Sequence, residues 1–177
     1  MRIREVLSCV LVVCMPALLN ATNCEQNFYD EFRVKSIDVA GVKIGQRVTY
    51  DQFVLKFGKP DRYEQNDIGE PGCPSIAEYY DVGENFFSFR NNGVFSTFVL
   101  DDNRYAALTL WIPGGIRVGD NLSCLDNFKY GKPKLASWLE PKDGFITYIL
   151  FYDYLDDLVY LSVKAGIVCS ISYSDPV

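Results

Sequence analysis

Val42-Lys43-Ile44-Gly45, followed by Phe57-Gly58-Lys59-Pro60, returns later as Ile116-Arg117-Val118-Gly119 and Tyr130-Gly131-Lys132-Pro133. The offset is 74 residues up to the helix and 73 after it. The 73-residue offset then holds: Asn92-Gly93-Val94-Phe95 falls on Ala165-Gly166-Ile167-Val168, and Asp102 on Asp175. A repeat this long is a small unit of mixed helix and strand, so two copies predict a pseudo-twofold molecule.

Within each copy the same passages recur. A strand is predicted over 32–39 and again over 105–112, each followed by a glycine turn. Thr49-x-x-Gln52 and Ser123-x-x-Asp126 align as hydroxyl N-caps, although the full capping box wants Glu or Gln at the last place. Tyr50, Phe53, Val54 and Phe57 form an i, i+3, i+4, i+7 stripe, matched by a shorter one of Cys124, Leu125 and Phe128. Gly58 and Gly131 suit a left-handed residue after the helix, and Pro60 and Pro133 prevent its resumption.

Hairpins follow. Strands over 86–90 and 94–100 flank Asn92-Gly93, a type I′ turn signal, and strands over 158–163 and 167–173 flank Ala165-Gly166. A two-residue turn pairs Arg90 with Phe95, Phe87 with Phe98, Val163 with Val168 and Tyr160 with Ile171. The side chains expected beneath the helices are Phe87, Phe89, Phe98, Tyr160, Ile167 and Ile171. The opposite face then carries Phe86, Ser88, Arg90, Phe95, Thr97 and Val99, with Val159, Leu161, Val163, Val168, Ser170 and Ser172. It is more apolar than a solvated sheet face, so either the other unit or a long loop covers it or it is a surface that binds a partner.

At the glycine turns (Gly45, Gly119), the capped short helices and the closing Gly-Lys-Pro, the chain resembles the tandem-repeat fold of the β-lactamase inhibitor protein. It also looks like the single-unit SmpA/OmlA lipoproteins of outer-membrane assembly. The resemblance covers nearly all of residues 33–175. It implies an α+β fold of two tandem repeats, each a short helix packed on an antiparallel β-sheet meander. The two sheets would lie side by side as one concave face, with one disulfide per unit. No inhibitory residue carries across.

The N-terminus reads as a leader. Arg2 and Arg4 precede an apolar run from Val6 to Leu19, and Leu19-Asn20-Ala21 offers a small residue before a cut. The run is too short for a comfortable membrane span. The expected organisation is a signal peptide over 1–21, a repeat unit over 22–102 and a second over 103–177. Export to the periplasm or the extracellular space follows, with a lipid anchor at Cys24 as the alternative to simple cleavage. Setting aside Arg2, Arg4 and Glu5 leaves 15 basic and 22 acidic residues, an unfavourable balance for nucleic acid. No further stretch is long enough to span a membrane.

Cys24, Cys73, Cys124 and Cys169 survive cleavage, and an even number in an exported chain predicts two disulfides with three possible connectivities. Cys124 opens the second helix and Cys169 lies in the strand expected beneath it, which favours Cys124–Cys169 and leaves Cys24–Cys73. No Cys-x-x-Cys spacing marks a metal or redox site.

The chain contains no histidine, which removes the usual general base and the Ser-His and Cys-His dyads. Asp101-Asp102 and Asp156-Asp157 are the conspicuous carboxylate pairs, but adjacent residues on an extended chain point apart. No enzymatic activity, cofactor or metal is expected. The expected function is an inhibitor-like or immunity-like protein-binding module whose partner is another protein. Its contact residues are Phe86, Arg90, Phe95, Val159, Leu161 and Val168 on the sheet, with Trp111 and Trp138 outside it. The alternative is a structural or assembly protein of the envelope, with or without a lipid anchor.

Overall fold

A computed structural model describes residues 37–69, 75–90, 93–126, 128, 132–150 and 158–174. The expected signal peptide, Cys24, Cys73 and Asp156-Asp157 lie outside them. The described chain runs β1 (Asp38–Val39), β2 (Val42–Lys43), α1 (Tyr50–Phe57), β3 (Arg62–Asp67), β4 (Ile76–Val82), β5 (Asn85–Arg90) and β6 (Val94–Leu100). After a 3-10 turn at Leu122–Leu125 come β7 (Lys134–Leu135), β8 (Ile146–Leu150), β9 (Val159–Lys164) and β10 (Ile167–Ser174). β1 and β2 pair alone, while the other eight strands form one antiparallel sheet ordered β3-β4-β5-β6-β10-β9-β8-β7.

This corrects the expectation of two helix-on-sheet units. The protein is mostly β, with one continuous sheet and a single α-helix among the described residues. The halves join where β6 pairs with β10, Val99 opposite Ser172 and Leu100 opposite Ile171. The 73-residue offset carries Val99 onto Ser172, so the strand order reads alike outward from this pair in both directions.

The helix forms where its signals are complete. The Thr49 N–H donates to Gln52 Oε1 at 2.9 Å and the Gln52 N–H to Thr49 Oγ1 at 3.3 Å. At the other end the Gly58 N–H donates to Val54 O at 2.9 Å. Two turns of helix are marginal in water, so tertiary packing must hold them. Phe53 and Phe57 supply it, the Phe53 ring lying 4.4 Å from Tyr80, 5.8 Å from Phe87 and 5.6 Å from Phe89.

In the second half the cap moves. Asn121, not Ser123, accepts through its side chain, from the Ser123 N–H at 2.9 Å. The turn that follows is only four residues long. Ser123 falls inside it, and Asp126 is too short to complete a box.

The faces of the sheet also differ from strict alternation. Phe87 pairs with Phe98 as expected, but Phe89 pairs with Phe95 and Arg90 with Val94, leaving Ser96 as an extra residue. In the second hairpin Val163 pairs with Val168, yet Leu161, not Tyr160, opposes Ile171, and Cys169 is extra. These are β-bulges, one extra residue against one on the partner, and each resets the alternation. Phe95 and Phe98 therefore share the buried inner face, as do Val168 and Ile171. Tyr160, expected inside, takes the other face, and Ile167 is 38% exposed. The Ser96 hydroxyl donates to Ser88 O at 3.1 Å, which satisfies the bulge internally.

Asp38 ties β1 to the segment after β6. Fully buried, it accepts from Thr109 Oγ1 at 2.5 Å, Leu110 N at 3.2 Å and Gly41 N at 3.1 Å. Asp38→Ala would strand three donors, and the expected loss is about 1–3 kcal/mol. Urea unfolding followed by circular dichroism measures it; a change below ~0.5 kcal/mol would show that water replaces the carboxylate.

Candidate partner-binding face

The outer face of the sheet, opposite α1, is built from every second residue of each strand. Arg62 pairs with Asp81, and Asp81 with Phe86; Glu64 pairs with Tyr79, and Tyr79 with Ser88. Directly paired residues share a face, so these side chains stand together. Arg62, Glu64, Asn66, Tyr79, Asp81 and Phe86 line a recess of about 340 Å³.

Its walls differ in chemistry. Tyr79 and Phe86 stack with ring centroids 5.9 Å apart and planes 23° from parallel. Arg62 and Glu64, both on the exposed edge strand β3, form an ion pair with Nε 3.1 Å from Oε1 and a closer contact through a terminal guanidinium nitrogen. The bond to Glu64 also raises the Arg62 pKa, with the nearby Asp81 charge adding a smaller push. Ala77 and Ser88, on the same face, are buried.

The inner face of the same strands is a phenol cluster. Tyr63 lies 5.0 Å from Tyr80, and its hydroxyl donates to Glu78 Oε1 at 3.2 Å. Burial first, then the Glu78 charge, pushes both phenols above their ordinary pKa, so both stay neutral.

The expected contact residues separate into three groups. Phe86 and Arg90 are half-buried on the outer face. Phe95, Val159, Leu161 and Val168 are wholly buried on the inner face: the bulges at Ser96 and Cys169 reset the alternation along β6 and β10, and in β9 Leu161 and Val159 oppose the inner-facing Ile171 and Tyr173. They belong to the core rather than to a surface. Trp111 is half-buried in a turn where its N–H donates to Leu108 O at 3.1 Å, and Trp138 is 61% exposed between β7 and β8. Neither tryptophan lines the recess.

Cys124 is exposed, Cys169 is half-buried, and both are free thiols. The expected bridge between them is not formed: Cys169 is the extra residue of its bulge, outside the alternation that would aim it at Cys124. Burial, then Asp120 and Asp126, pushes the Cys124 thiol up, so it is a weak nucleophile at neutral pH. Asp102 serves a turn, accepting from the Arg104 backbone N–H at 2.9 Å and pairing with Arg104 Nε at 3.0 Å.

Sequence reasoning missed most of the recess. No strand is predicted between Pro60 and Phe86, whereas β3 runs to Asp67 and β4 spans Ile76–Val82. Among the described residues no three acidic or cysteine side chains cluster to hold a metal ion, and no helix is long and apolar enough to cross a membrane. No protein-family model, curated protein or solved structure matches this chain.

Proposed function

We propose that this is an exported, non-enzymatic module that binds another protein through the outer face of β3, β4 and β5. The observation that carries this reading is the recess itself: a stacked Tyr79–Phe86 pair walled by Arg62, Glu64 and Asp81. Aromatic and arginine side chains are the types enriched where proteins meet, particularly when an apolar centre is rimmed by charge.

The test is capture of a partner from the native envelope and culture fluid, with Tyr79→Ala/Phe86→Ala as the paired bait. Both rings are half-buried, so the double variant is expected to stay folded, losing less than about 3 kcal/mol. One stoichiometric partner, lost with the two rings, supports the reading. A partner retained by the variant removes this face from the function. Membrane fixation through Cys24 with no partner would favour the envelope-assembly role instead.

A further inference from the structure

We propose that the free edge of β3 accepts an extended basic peptide segment, which adds as a ninth strand and lays a Lys or Arg side chain into the recess beside Glu64 and Asp81. This rests on reading the outer face as protein-binding and names the chemistry of its partner.

β3 ends the sheet: it pairs with β4 on one side, and among the described residues no strand pairs its other side. All six of its residues are exposed. The Ile68 N–H donates to Ser75 O at 2.8 Å, so Ile68 faces β4 through its backbone. Antiparallel ladders alternate, and the N–H and C=O groups of Tyr63, Gln65 and Asp67 therefore point away from the sheet. Such a row is a template for strand addition.

Side-chain geometry then selects the guest. A residue of the added strand opposite Glu64 stands on the outer face, about two strand spacings (~9.6 Å) from β4. Only a long side chain crosses β3 to reach Asp81 and the Tyr79 ring. Glu64 and Asp81 against Arg62 leave the recess with an excess negative charge, and the aromatic rings accept a cation on their faces. The Asp81 carboxylate makes no hydrogen bond or ion pair among the described residues and is available to such a cation. A second copy of this chain is a poorer guest, since each carries a net charge of −6.

The pattern of exposed N–H groups makes a sharp test. The probe is a fluorescein-labelled heptapeptide alternating lysine with valine, titrated against the purified protein by anisotropy. With the guest antiparallel to β3 and its lysines on the outer face, the valine amides face β3 and the lysine amides face away. Methylating the valine nitrogens is expected to weaken binding at least tenfold, and methylating the lysine nitrogens to leave it within twofold. Gln65→Pro removes an outward donor without breaking a bond to β4, and Asp81→Asn removes the charge; each is expected to cost about tenfold. If Gln65→Pro does not fold, the two methylated peptides decide alone. Binding indifferent to the position of methylation would be charge adsorption and would overturn the proposal. So would an absence of saturable binding, whereas a partner captured through Tyr79 and Phe86 would leave the broader reading standing.

Discussion

Phe53→Ala is expected to lower stability by about 3–5 kcal/mol, among the largest single-residue losses in the molecule. Phe53 is 1% exposed and is the one helix side chain that meets three strand aromatics of the inner face, Tyr80, Phe87 and Phe89. Its loss leaves a cavity between helix and sheet and removes one of the two buried side chains, with Phe57, that dock Tyr50–Phe57. The control is Leu55→Ala, two residues along the same helix and 83% exposed, expected to change stability by less than ~0.5 kcal/mol. Urea unfolding of both variants, followed by circular dichroism, makes the comparison. Equal effects would mean that α1 does not dock through this face. The outer recess lies across the sheet from Phe53, so a partner-binding defect in a folded fraction of Phe53→Ala would show that the two faces are mechanically coupled.

The same helix shows how much of the fold was legible. Thr49, Gln52, the Phe53/Phe57 stripe, Gly58 and Pro60 are local signals, and each does in space what its chemistry suggests. Asn121 shows the limit: it caps the second turn two residues before Ser123, the cap that alignment with Thr49 predicts, and Asp126 is too short to complete a box with Ser123. The sheet faces were harder. Alternation assigns faces only while no residue is extra, and Ser96 and Cys169 are extra. Phe95 with Phe98, and Val168 with Ile171, are apolar pairs three apart, a spacing that alternation cannot place on one side without a bulge. That they recur 73 residues apart was a readable signal of a repeated bulge. The recess was concealed for another reason: β3 is polar on both sides, as an edge strand can be, and polarity without alternation reads as loop.

Gly93→Ala is expected to cost about 2–5 kcal/mol, and its repeat counterpart Gly166→Ala only about 1–2. Both glycines have positive φ, +88° and +80°, so a Cβ is strained at either place by roughly 1–2 kcal/mol. The difference lies in what surrounds them. A Cβ on Gly93 would sit 2.4 Å from Val48 O, whereas one on Gly166 meets nothing within 4 Å. Val48 cannot simply withdraw: its N–H donates to Gly93 O at 2.8 Å, and Arg47 bridges Val94 beside it. The segment that leads into the helix cap at Thr49 is therefore laced to the hairpin, and the displacement adds an overpacking cost of about 1–3 kcal/mol. Parallel urea titrations of the two alanine variants decide the point. Both hairpins are laced to the segment before them, the Leu122 N–H donating to Gly166 O at 2.8 Å as Val48 does to Gly93 O. Equal losses would show that backbone conformation alone limits both turns; a larger loss at Gly93 would show that the close approach of Val48 O adds its own cost.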